Sequence, residues 1–223
     1  GFLKRERNLT TGEIFDQVNL INAITMERFS QKLDNIVFMG MGEPLLNYAN
    51  VIESIKIMTD MKGLGFSGRR ITVSTSGISK MIVKLADEEL GCRLALSLHE
   101  ANNEARSRIM PINDSNPLES LAESLTYWYN TTRSRPTLEY TVIEDVNDRS
   151  SNSDDLIRFA KQFPCKINLI EYNPILQADF KPTEVDNLEA FAEKIEEAGL
   201  IVNIRRSRGK DIDAACGQLI NNN

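Results

Sequence analysis

The chain has 223 residues, 41% of them hydrophobic, enough apolar material for one large core or two small ones. Its 26 Lys and Arg stand against 32 Asp and Glu, a formal net charge of −6, which excludes a globally basic mode of nucleic-acid binding but leaves room for a local basic patch. Three cysteines, at positions 92, 165 and 216, cannot complete a disulfide framework, and no run approaches the roughly 18 apolar residues of a membrane span, so a cytoplasmic protein with no membrane partner is expected.

In chain order, the hydrophobic pattern predicts a helix over 12–29, a strand over 35–39, a helix over 49–61, a strand over 70–74, a helix over 79–86 and a strand over 93–97. A helix over 118–129, a strand over 137–143, a helix over 154–162, a strand over 166–170, a helix over 185–198 and a strand over 200–205 follow. In the last helix Leu188, Phe191, Ala192 and Ile195 recur at i, i+3, i+4 and i+7, one apolar stripe. Short apolar runs alternating with amphipathic segments argue for a parallel α/β sheet with crossover helices, either barrel-like or open. With no Gly/Ser linker and no repeat, residues 1–223 are expected to form one domain.

In both architectures ligands sit at the carboxyl ends of the strands, so the residues just after each apolar run are the candidates for chemistry. The first run leads into Gly40-Met41-Gly42-Glu43-Pro44, where glycines permit close backbone approach and Glu43 can accept from an ammonium group; a plain turn is the alternative. Ser74-Thr75-Ser76-Gly77 ends the second and suits a helix cap or a polar ligand. Ser97-Leu98-His99 ends the third; as the only histidine, His99 cannot belong to a multi-histidine metal site. Asn173, both donor and acceptor, follows the fifth. Arg205-Arg206-Ser207-Arg208-Gly209-Lys210 puts four cations within six residues, a phosphate-binding patch or a solvated loop, and Cys216 taken alone reads as a buried thiol.

The strings Arg7 to Ile14, Gly40 to Asn47, Val73 to Gly77, Ser97 to His99, Met110 to Asn113, Val146 to Asp148 and Asp211 to Leu219 resemble, in order and spacing, the RlmN branch of the radical SAM RNA methyltransferases. The resemblance implies a partial (β/α) barrel and methylation of C2 of an adenine in 23S rRNA and in tRNA. It further implies that Gly42 and Glu43 hold the amino group of S-adenosylmethionine, and that Ser74, Ser97, Leu98, His99 and Asn173 line the rest of that site. Cys216 matches the cysteine that carries the methyl group. The need for such a carrier follows from the chemistry: C2 of adenine is not nucleophilic, so the resemblance implies methyl transfer to a thiolate first and radical addition afterwards.

The same resemblance implies a 4Fe–4S cluster and an electron donor protein, yet the Cys-x-x-x-Cys-x-x-Cys run that would bind the cluster is not in this sequence. No metal ligands are therefore assigned. The expectation is a catalytic core incomplete at its N-terminus, without the first barrel strand, the cluster loop or an accessory RNA-recognition domain, and inactive in this form. Glu100 and Glu171 place charge where many relatives carry Ala and Pro, with RNA contact as the expected point of effect. Two other readings stand beside the first: a Cfr-type enzyme acting at adenine C8, and a non-catalytic RNA-binding relative.

Overall fold

A computed structural model describes residues 6–39, 41–174 and 178–206. Six parallel strands, β1 (Ile36–Phe38), β2 (Ile71–Thr75), β3 (Arg93–Ser97), β4 (Thr137–Val142), β5 (Lys166–Glu171) and β6 (Val202–Arg205), pair in the order of the chain. Such an order has no switch point where neighbouring connections diverge; it is the winding of a barrel, and here the sheet stays open rather than closing on itself. The connections are α2 (Tyr48–Thr59), α3 (Ser79–Ala86), α4 (Asn103–Ile109) with α5 (Leu118–Thr132), α6 (Ser150–Ala160) and α7 (Val185–Glu197); α1 (Thr11–Phe29) precedes β1.

Thr10-Thr11-Gly12-Glu13 starts α1 through a reciprocal cap: the Thr10 hydroxyl accepts from the Glu13 amide, and the Glu13 carboxylate accepts from the Thr10 amide at 2.8 Å. Thr11 then donates to the Asn50 side chain, and Asn47 donates to the Leu9 carbonyl, fastening α1 to α2.

The period of two along the strands decides which face can hold a ligand. Ile71, Val73, Leu94, Leu96, Leu138, Tyr140, Val142, Ile167 and Leu169 are buried with Ile55, Leu85, Leu125, Leu156 and Phe191 of the helices in one core cluster. The Tyr140 ring lies 5.7 Å from that of Phe191 on α7. The alternate positions carry mostly polar residues, Thr72, Ser74, Ser97, Glu139, Thr141, Asn168, Asn203 and Arg205, with Val37, Ala95 and Ile170 among them. In a parallel sheet sandwiched by helices both sets would be apolar; one apolar and one largely polar set means that a single face meets the helices, as in a barrel wall.

Each predicted strand is present, β3 with the expected bounds and the others with an end moved by at most two residues, and the predicted helices differ most at α6, which begins at Ser150 rather than 154. Asn152 accepts from the Arg149 amide and so satisfies the chain at that earlier start. The α4 helix was not expected. Asn102 caps it by accepting from the Ala105 amide, and its buried side chain is Arg106, so it carries no apolar stripe to detect. Glu100, expected to affect RNA contact, is instead buried, accepting from the Ala101 amide and the Asn152 side chain, and carries no charge to the surface.

Candidate functional site at the strand mouths

The loop after β1 is tied to the loop after β2 by one carboxylate. Glu43 accepts from the Leu45 amide at 3.0 Å through Oε1, and from both the amide and the hydroxyl of Ser76 at 2.7 Å through Oε2. A carboxylate offers about four lone-pair directions, so one remains for a further donor. Gly42, just before it, has φ +104 with open space where a side chain would stand. Two residues past Thr75 the requirement is stricter: Gly77 has φ +105, and a Cβ there would lie 3.0 Å from Leu121 and 3.1 Å from Leu96. Glycine alone fits that turn. Ser74 stands on the polar face of β2, buried.

At the mouth of β3 the chain turns sharply. The amides of Leu98 and His99 both donate to the carbonyl of Glu139 on β4, and His99 takes φ +55, in the left-handed region. The His99 Nδ1 accepts from the Thr141 amide at 3.1 Å, which fixes the proton on Nε2 and turns the ring into a neutral donor. Burial, and behind it the positive charge of Arg106, lowers its pKa to about 4. Asn147 holds the turn from the far side: its side-chain amide donates to the carbonyls of His99 at 2.7 Å and Thr141 at 2.8 Å, while its oxygen accepts from Ile143. Leu98 faces the core with no exposure, so this residue reaches the mouth only through its main chain.

Arg106 joins the second and third mouths. Wholly buried, it donates to the carbonyls of Ser76, Ser97 and Leu98 and to the Asn113 side chain, at 2.7 to 3.3 Å. Burial lowers its pKa to about 10, which leaves the guanidinium charged at neutral pH. On β4, Glu139 is register partner to Ser97 on one side and Asn168 on the other. Asn168 donates to Oε1 at 2.9 Å, whereas the buried Oε2 has no donor. Burial raises the Glu139 pKa. An unmatched buried oxygen costs on the order of 1–3 kcal/mol, a cost a bound donor would recover. Asn173, past β5, is buried.

The structure thus brings Gly42, Glu43, Ser74, Ser97 and His99 to one end of the sheet, with Asn173 past the end of β5. Cys216 lies outside the described residues, as does 207–210 of the basic cluster. Arg205 is exposed on β6, and Arg206 pairs with Glu189 of α7 at 2.9 Å. Reasoning from the sequence passed over Arg106, Glu139 and Asn147. A carboxylate within an otherwise β-forming run was the available signal for Glu139. Asn147 sat in a recognised string, Val146 to Asp148, without an assigned role. The thiols of Cys92 and Cys165 are buried just before β3 and β5, their pKa values pushed up to about 11 and about 12 by burial. Among the described residues no three His, Cys, Asp or Glu side chains gather as a metal site, so this part of the chain offers no seat for an iron–sulfur cluster.

No family model matches the chain. Among curated proteins it is 53% identical to a probable dual-specificity RNA methyltransferase RlmN of Christiangramia forsetii, over 98% of this chain and 62% of that protein. It is 55% identical to the protein of the same name from Cytophaga hutchinsonii, over 98% of this chain and 60% of that one. Among solved structures, a radical SAM methyltransferase from Sphaerobacter thermophilus superimposes with a TM-score of 0.93 at 39% identity, over 96% of this chain and 62% of that one. The chain therefore spans about three-fifths of the length of the curated relatives it matches. Over that span identity and fold agree: nearly the whole chain is similar to proteins named RlmN and to a solved radical SAM methyltransferase.

Proposed function

We propose that the complete protein methylates C2 of an adenine in 23S rRNA and in tRNA, using S-adenosylmethionine and the thiol of Cys216 as methyl carrier. What carries the reading is the meeting of Glu43, Ser74, Ser97 and His99 at one end of a barrel wall whose ligand-facing side is polar. The relatives' name, dual-specificity RNA methyltransferase, supports two RNA substrates; cytoplasmic RNA and an electron donor protein are the partners this reading requires.

The residues suit S-adenosylmethionine on two counts: Glu43 retains a lone-pair direction after three donors, and Glu139 keeps a buried oxygen with none. Bound there, the cofactor would supply the methyl group and, on cleavage by one electron from the donor protein, a 5′-deoxyadenosyl radical. Glu43 takes the amino group, and Gly42 leaves the approach to it open. Ser74, Ser97 and the His99 Nε2–H present hydroxyl and imidazole donors beside it, with the Leu98 main chain shaping the turn and Asn173 at the next mouth. Arg106 and Asn147 touch none of the reacting atoms in this reading; they position the turns that do. The Cys216 thiolate would attack the methyl carbon of the sulfonium, forming a thioether as S-adenosylhomocysteine leaves, and so hold the methyl group ready for a carbon that ordinary electrophilic transfer cannot reach.

The test uses the full-length protein in cells lacking the native gene. Cys216→Ser is expected to fold and bind S-adenosylmethionine while mass spectrometry of rRNA and tRNA finds no 2-methyladenine. Product at wild-type levels from that variant contradicts the carrier role, and 8-methyladenine from the wild type would give the C8 reading instead.

A further inference from the structure

Basic residues of this acidic chain gather at the amino ends of β3, β4 and β5, the end of the sheet away from the strand mouths. Arg93 opens β3, Lys166 opens β5, and Arg135 lies two residues before β4, where the Lys166 amide donates to the Pro136 carbonyl and extends the pairing. All three are exposed. Counting by twos puts them on the polar face, Arg93 with Ala95 and Ser97, Arg135 with Thr137 and Glu139, Lys166 with Asn168. Thr137 is register partner to both Ala95 and Lys166, so Arg93 and Arg135 stand level on neighbouring strands, their Cα atoms about 5 Å apart, with Lys166 about 8 Å from Arg135. None of the three forms an ion pair or a side-chain hydrogen bond with a described residue. In the turns leading into these strands the carboxylates are Asp87, bonded to Tyr127, Glu88, bonded to Lys56 and Tyr48, and Glu89. Arg133 and Lys161 in the same turns are the C-caps of α5 and α6, where the helix dipole accounts for a cation. The three strand-borne charges have no such partner, and like charges side by side are destabilising.

We infer that Arg93, Arg135 and Lys166 form a phosphate-binding surface for the RNA substrate, separate from the strand mouths. This rests on the RNA methyltransferase reading above and adds a second contact to it. Exposed cations repeated on three neighbouring strands suit a charged backbone better than one small anion, which would need an enclosing set of donors. A polyanion also answers the repetition, since each phosphate that meets a cation releases counterions and relieves the repulsion between neighbours. At the mouths, by contrast, Arg106 is buried and bonded to carbonyls, Arg206 is paired with Glu189, and Glu43 and Glu139 are acceptors. The distance is short enough for one RNA to touch both places. Four residue steps separate Arg93 from Ser97, about 13 Å along β3, so RNA with one base at the mouths meets the patch within about four nucleotides, even at the helical spacing of about 3.4 Å.

Binding of an unmodified tRNA transcript to the full-length protein, measured against salt concentration, tests the inference without turnover. The triple variant Arg93→Gln, Arg135→Gln, Lys166→Gln removes three charges at exposed positions and is expected to melt no lower than the wild type. Its plot of log affinity against log salt should be flatter by about two to three units, and its affinity at physiological salt about ten- to a hundredfold weaker, while its affinity for S-adenosylhomocysteine matches the wild type. The charge-preserving set Arg93→Lys, Arg135→Lys, Lys166→Arg should keep the slope, because a point charge suffices for a phosphate. If the triple variant melts lower, the three single glutamine variants decide, each expected to lose a little under one unit of slope. Unchanged slope and affinity would overturn the inference and leave the patch to an acidic protein partner. A parallel fall in affinity for S-adenosylhomocysteine would also overturn it, since the change would then act through the fold. If the wild type binds no RNA, the RNA reading itself fails first, an outcome distinct from failure of the patch.

Discussion

At the scale of single residues, the chemistry of the mouth depends on which protons are held. His99 is surrounded so that its Nδ1 accepts a main-chain amide, and burial together with Arg106 brings its pKa to about 4. Because the folded value lies below the unfolded value of about 6.5, the native state binds fewer protons than the unfolded chain between those limits. The neutral ring's contribution is thus complete above about pH 6.5 and is lost as the pH falls toward 4, up to about 3 kcal/mol for a shift of that size. With one histidine in the chain, a single C2–H resonance reports it. Proton NMR is expected to show a midpoint near 4; a midpoint near 6.5 would mean an exposed ring unconnected to Thr141.

At the scale of elements, the mouths of β2 and β3 keep their shape because α4 delivers Arg106 beneath them. Replacing it with Met leaves three main-chain carbonyls and the Asn113 oxygen without their donor, so Arg106→Met should cost about 3 kcal/mol or more in urea unfolding. Arg106→Lys, which keeps the charge but not the planar fork, should lose less. Wild-type stability in the Met variant would show that the fork is dispensable. The same helix marks where the sequence stopped being legible. Strands β1 to β6 were readable because their apolar residues recur every second position, and α7 because Leu188, Phe191, Ala192 and Ile195 make one stripe. In α4 the residue that turns inward is an arginine satisfied by carbonyls, and such a partner set appears only once the chain has folded. Glu43 and His99 stand out as candidate site residues from the strings around them. The partners that fix them, Ser76, Thr141 and Asn147, come from other strands and loops, and Glu139 was hidden within a run read only as strand.

For the whole molecule, a net charge of −6 coexists with a polar strand-mouth face because the acidic and basic groups are sorted by position. Helices and outer turns carry exposed pairs such as Lys56–Glu88 and Arg206–Glu189, worth little individually, while the two carboxylates at the mouths, Glu43 and Glu139, are directed to defined donors. One-sided coverage of a sheet wound in chain order leaves that face to a ligand, and no helix among the described residues is long and apolar enough to cross a membrane. The three thiols divide in the same way. Cys92 and Cys165 are enclosed and held protonated by burial, so a methyl group on either would have no access to the polar face. Peptide mass spectrometry of the full-length protein after incubation with S-adenosylmethionine tests the central claim most directly. The account predicts the added mass of one methyl group on the peptide containing Cys216 and none on those containing Cys92 or Cys165; an unmodified Cys216 in protein that nonetheless methylates RNA would contradict it.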